Sequence, residues 1–345
     1  MGERFNLNII LPRMLPHFDG KTLFVIGNGF DLAHHLKTTY HDFEKRIRTN
    51  AELCQMLRQF VDVDCWWKDL EESLARIQYT DVINPLDILA EFYSEGKYDI
   101  TDQKAFDRDI EELIKPLKLL TSDLTQCFKN WIERLSTKIS SQVFSYLLPR
   151  DSLYLNFNYT DVLECEYGIP NQNVCHIHGE RRRLEEDIIV GHGLEECKSY
   201  NESLFKNMNE DEQYLVWKVI EAAFEKLDNH VIKIDKNCEE IIRNHISFFN
   251  SIKRANRVVI IGHSLGMVDY PYFVQIVKTL PSVKKTKWYI SFYNNSDKRS
   301  IKEFINYFKL DNKNVECFPL NKDEEEKIKK SLEKKKKKGP SESQD

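Results

Sequence analysis

Apolar and polar positions alternate in two registers along this chain. Short apolar runs bounded by turn residues predict buried strands at Leu23–Ile26, Ser152–Asn156, Asn173–His178, Ile188–Val190, Arg257–Ile261 and Trp288–Tyr293. A longer period dominates residues 40 to about 140. There Ile110, Leu113, Leu117, Leu120, Leu124, Phe128, Trp131 and Leu135 recur at three- and four-residue spacing, as on one face of a helix that Pro116 should kink or split. Helical patterns also fall at Asp211–Leu227 and Glu239–Phe249. Alternation of strands with helices predicts a mainly parallel sheet covered on both faces.

The expected fold class is therefore α/β, a Rossmann-like mainly parallel sheet with a large helical insertion. The expected Rossmann-like domain is discontinuous, formed by residues 1–39 and 145–320. Residues 40–144 form the insertion, and 321–345 a charged tail. In that tail the run Lys334–Lys338 reads as a solvated helix fraying into disorder.

Composition narrows the function classes. The chain has 345 residues, 41% hydrophobic and 30% charged, which is globular rather than disordered. A net charge of -5 argues against a general nucleic-acid binder. Leu7–Leu15 contains Pro12 and Arg13 and makes a poor secretory signal, and no apolar run approaches the roughly 20 residues of a membrane helix. The eight cysteines include no C-x-x-C pair, so reduced thiols and a cytoplasmic location are expected, without a structural zinc cluster.

Four segments carry candidate chemistry. Gly27-Asn28-Gly29 ends the first strand. Its glycines would let the backbone approach a phosphate, while Asp31 suits a helix cap or a ribose hydroxyl better than a pyrophosphate. A plain tight turn is the alternative reading. Asn156 and Asn158 follow the second apolar strand, at an edge where α/β sheets bind ligands, although an Asx turn would also use them. His176 and His178 should share one face of a strand, where they could bind a metal or act as acid or base, with His192 nearby. Gly262-His-Ser264-Leu-Gly266 has the form of a hydrolase nucleophile elbow. No histidine follows His263, however, so Gly262 and Ser264 read better as phosphate or ribose contacts, with Asp269 for the hydroxyls.

Taken in order, Ile26-Gly-Asn-Gly-Phe-Asp-Leu32, Lys37-Thr-Thr-Tyr40 with Phe43, Trp67-Lys-Asp-Leu-Glu71, Asn156-Phe-Asn-Tyr-Thr160, His176-Ile-His-Gly179 and Gly262-His-Ser264 resemble the bacteriophage abortive infection AbiH family, over roughly residues 21 to 320. A more distant similarity is to the sirtuin-like NAD-consuming domains of phage defence. That similarity implies that Gly27, Gly29, Gly262 and Ser264 hold the nucleotide, and Asn28, Asp31, Asn156 and Asp269 complete the expected nucleotide-binding set. It also implies that Asn158 and His178 face the ribose bearing nicotinamide. NAD is then the substrate, with no bound cofactor or metal, and the expected partners are the nicotinamide dinucleotide and a phage-derived trigger, a homo-oligomer being left open. Thr160 stands where that pattern has an aspartate, and no four-cysteine zinc module is present. Two other readings stay open: a metal-dependent phosphoesterase or nuclease using His176, His178, His192 and Asp31 or Asp161, and a non-catalytic nucleotide-sensing domain.

Overall fold

The computed structural model describes residues 7–60, 102–119, 123–182, 188, 214 and 237–337. The chain divides into two compact units. One comprises Met1–Thr38, Leu135–Arg183 and Cys238–Asp345, and the other Thr39–Arg134 and Leu184–Asn237.

The first unit is built on a six-stranded, all-parallel sheet: β1 (Thr22–Ile26), β2 (Leu153–Asn156), β3 (Val174–His176), β4 (Arg257–Ile261), β5 (Lys287–Phe292) and β6 (Val315–Pro319). The spatial order is β3-β2-β1-β4-β5-β6, which makes this an α/β, Rossmann-like fold. The strand order reverses between β1 and β4, so their carboxyl ends flank the crevice at which such sheets take ligands.

β1 is buried along its whole length, as expected of a strand covered on both faces. On one face Phe24, Ile26, Tyr154, Val259, Ile261, Tyr289 and Phe318 pack with Phe18, Phe30 and Phe144 in one core. The Phe24 and Tyr154 rings stack at 5.0 Å across the β1–β2 pair. On the other side Trp288 meets Phe304 at 6.0 Å and Phe273 meets Phe304 at 4.9 Å, joining the helices Tyr270–Thr279 and Asn295–Tyr307.

The third strand is shorter than its sequence pattern predicts, because it ends at His176 and the chain turns at Ile177 and His178. Ile188 is buried but belongs to no strand, while Val190, His192 and the helical pattern at Asp211–Leu227 lie outside the described residues, apart from Tyr214. The pattern Glu239–Phe249 forms two short helices, Cys238–Asn244 and Ile246–Ser251. Lys322–Lys337 is helical, and Glu324 in its first turn pairs with Lys298 at 2.9 Å.

The second unit, as far as it is described, is helical: Tyr40–Ile47, Ala51–Phe60, Gln103–Lys118 and Leu124–Glu133. Thr39 and Asp42 close a capping box at its first helix. Phe43, Phe128 and Trp131 cluster with ring separations of 5.1 to 5.4 Å. Pro116 lies two residues before the end of its helix, and a separate helix begins at Leu124.

Candidate functional site

The carboxyl edge of the sheet gathers all ten residues singled out as catalytic or nucleotide-binding into the first unit, but in quite different settings. The turn after β1 and the turn after β4 touch through their backbones. Gly27 N–H donates to Ile261 O at 2.9 Å, and Gly29 N–H donates to Gly262 O at 2.7 Å. A Cβ on Gly29 would stand 2.6 Å from Gly262 Cα. One on Gly262, whose φ is +66°, would stand 2.3 Å from Phe30 N. Glycine is therefore required here by turn-against-turn packing. Asn28 is exposed, but its side chain is clasped by Thr38: Oδ1 accepts the Thr38 hydroxyl at 2.6 Å, and Nδ2 donates to Thr38 O at 2.9 Å.

Asp31 does not cap the helix, the first of its two readings from the sequence. Gly27 takes the N-cap position of the helix Asn28–Ala33, and Asp31 lies within that helix, 1% exposed. Its Oδ2 accepts the Thr160 hydroxyl at 2.7 Å, while Oδ1 is buried with no hydrogen-bond partner among the described residues. Burial pushes the carboxyl pKa up to about 7, against the pull of Thr160, Asn158 and nearby His176.

The β2 turn is tied inward. Asn156 Oδ1 accepts the Asn158 N–H at 3.0 Å, an Asx turn, and its Nδ2 reaches Thr160 O at 3.4 Å. Asn158 Nδ2 donates to Gly27 O at 3.1 Å and so links the β2 turn to the β1 turn.

The two histidines expected on one strand face separate. His176, the last residue of β3, places Nε2 2.7 Å from Glu164 Oε1 and Nδ1 3.1 Å from Asn158 O. Burial works to lower its pKa, but the Glu164 hydrogen bond and charge outweigh it and hold the imidazole above its ordinary value. His178 lies beyond the strand end, where period-two alternation no longer governs. Its ring is 5.2 Å from Phe157 and 5.7 Å from Tyr272, and its Nε2 is 3.9 Å from Asp269 Oδ1. Asp161 is engaged elsewhere, by Arg182. Burial raises its pKa, but Arg182 and Arg181 outweigh that and hold it low. Among the described residues no three His, Cys, Asp or Glu side chains converge as a metal-holding group.

The β4 turn does not form a nucleophile elbow. Five residues separate the strand from the short 3-10 turn Met267–Asp269 that leads into the helix Tyr270–Thr279. Ser264 is exposed, and Leu265 adopts φ +59°, unusual for a branched side chain. His263 Nε2 lies 3.4 Å from Asp269 Oδ2, so one carboxylate stands between two imidazoles.

The family model described as bacteriophage abortive infection AbiH matches residues 23–292, most of the chain. The chain belongs to the AbiH family. Its role is accordingly in abortive infection against bacteriophage. No curated protein matches the chain, and no solved structure does. The AbiH match spans every strand end that meets in the crevice, from the β1 turn to the close of β5. At these strand ends, sequence reasoning gave His263 and Thr160 no role. His263 was hidden inside a motif whose serine drew attention. Thr160 binds a carboxylate 129 residues away, a pairing that no local pattern reveals. No described helix is long and apolar enough to cross a membrane.

Proposed function

We propose that this AbiH protein binds NAD at the β1–β4 crevice and hydrolyses its nicotinamide–ribose bond. The observation that carries the reading is the strand order, which brings the two glycine turns together at the switch point with the His178–Asp269 pair beside them. In the reaction the bond from ribose C1′ to the nicotinamide nitrogen breaks, and its electron pair leaves with neutral nicotinamide. Water then forms the new bond to C1′ and gives up a proton. His178 would take that proton, and Asp269 would stabilise the resulting imidazolium. Asn158, held against the β1 turn through Gly27 O, would orient the water or a ribose hydroxyl. Ser264, the most accessible polar group of the β4 turn, would contact the phosphate or ribose. His178 and Asn158 are 4% and 7% exposed, so the site must open to admit the ribose and would exclude bulk water once closed.

The test is incubation of the purified protein with NAD, followed by chromatography. Equal amounts of nicotinamide and ADP-ribose are expected. NAD recovered intact, with or without binding, overturns the hydrolytic reading, and recovery from a stable complex would favour nucleotide sensing instead.

A further inference from the structure

His263 is a buried titratable side chain at the crevice to which the proposed reaction gives no task. We infer that it is a positioning residue, joining the Ser264 turn to Asp269 and thereby setting where that carboxylate stands against His178. The inference rests on His178 being the base.

The ring's hydrogen bonding fixes its tautomer. The Leu265 backbone N–H can only donate, and it does so to His263 Nδ1 at 2.9 Å. Nδ1 therefore presents its lone pair, and the neutral ring keeps its proton on Nε2, the atom 3.4 Å from Asp269 Oδ2. Two edge-on aromatic contacts, Phe157 at 4.4 Å and Phe273 at 5.3 Å, hold the plane of the imidazole, whose side chain is 3% exposed. The other oxygen of Asp269 faces His178 at 3.9 Å. One ring thus grips the strained Leu265 backbone by one nitrogen and addresses the shared carboxylate with the other. Ser264 lies between His263 and Leu265 in the chain, so a ligand held by its hydroxyl bears on both ends of that grip.

Two substitutions divide the ring's functions. In His263→Asn the side-chain oxygen can still accept the Leu265 N–H, but the shorter side chain no longer extends to Asp269. In His263→Gln the longer amide can donate toward Asp269, while the Leu265 bond is lost. Turnover of NAD should fall about ten- to a hundredfold in kcat for His263→Asn, the order expected when a polar contact to a charged group is lost, with KM little changed. His263→Gln should recover most of that loss. Imidazole nitrogen NMR at one fixed pH supplies a readout independent of turnover. The wild type should show His263 with its proton on Nε2. The His178 ring signals should move in His263→Asn and return toward wild type in His263→Gln. Unmoved His178 signals in His263→Asn, or equal kcat losses in both variants, overturn the inference. If His263→Asn fails to fold, a wild-type His263 protonated on Nδ1 does so alone. If the ring signals respond as expected while NAD stays intact, the positioning role stands and the hydrolytic reading falls.

Discussion

The end of β3 and the end of β4 each place histidine beside a carboxylate, yet the two arrangements differ in closure. At β3 the His176–Glu164 separation is 2.7 Å and the second ring nitrogen reaches a backbone carbonyl, so both nitrogens of His176 are engaged. At β4 the imidazole–carboxylate separations are 3.4 and 3.9 Å, the neighbouring serine is exposed, and Leu265 is held in a left-handed conformation. A buried imidazole with both nitrogens engaged rigidifies its surroundings. Longer imidazole–carboxylate separations beside a left-handed leucine are the kind of setting found where a reaction or a ligand needs it. His176 and His178, two residues apart in sequence, thus belong to different devices.

The comparison breaks most readily at these two histidines. His176→Ala leaves Glu164 as a buried, unpaired charge and should cost about 3–5 kcal/mol of stability. Because Glu164 holds the folded pKa of His176 above its ordinary value, the pair stabilises fully below about pH 6.5 and loses that contribution as pH rises through the raised value. The denaturation gap between wild type and His176→Ala should therefore narrow on the alkaline side. His178→Ala should cost less stability but lower NAD turnover by about a hundred- to ten-thousandfold. Urea melts and turnover measured on both variants decide the matter, and matching losses in the two would erase the distinction drawn here.

Why the sequence separated these roles only in part follows from the elements themselves. β1, β2, β4 and β5 were legible to within a residue or two because apolar runs such as Leu23–Ile26 end abruptly in turn residues. β6 was not. Its Val315-Glu-Cys-Phe-Pro319 run carries a charge and a proline, which a central strand would reject but an edge strand tolerates. At the site the motifs fell at strand ends that the sheet order brings side by side. Side-chain direction was lost where β3 stopped at His176, since alternation holds only while a strand continues. Tertiary pairings such as Asp31 with Thr160, or His263 and His178 with one aspartate, depend on strand order and could not be read along the chain.

Asp31 sharpens the comparison from the closed side, where its Oδ1, like Glu164 Oε2, is buried with no hydrogen-bond partner among the described residues. Its folded pKa of about 7 lies well above the roughly 3.9 of an unfolded aspartate. The folded state therefore holds a proton that the unfolded state has released between those values, and the stability contributed by the protonated form is lost as pH climbs from about 4 through about 7. Asp31→Asn keeps an acceptor for the Thr160 hydroxyl and removes the buried charge. It should be near neutral at pH ~4 and stabilising at pH ~8, by at most on the order of 4 kcal/mol. Thermal unfolding of both proteins across that range checks this, and a constant offset would show that Asp31 titrates normally.

The smallest effect is expected at Ser264, on the open side. The residue is exposed, and no side-chain hydrogen bond within the described residues ties its hydroxyl down, so removing that hydroxyl should leave folding almost unchanged. Its use would appear only with ligand present. If it donates to a phosphate or ribose oxygen, Ser264→Ala should weaken NAD binding by on the order of 1 kcal/mol, about fivefold in Kd. Calorimetric titration with NAD on the His178→Ala background measures this without turnover. Stoichiometric labelling of Ser264 by an organophosphate would make it a nucleophile and not a contact. The loop geometry argues against that outcome, because the helix does not begin at the serine and the imidazole one residue before it is turned to Leu265 and Asp269. An unchanged Kd would remove the β4 turn from the nucleotide site and leave the coupling through His263 without a ligand to transmit.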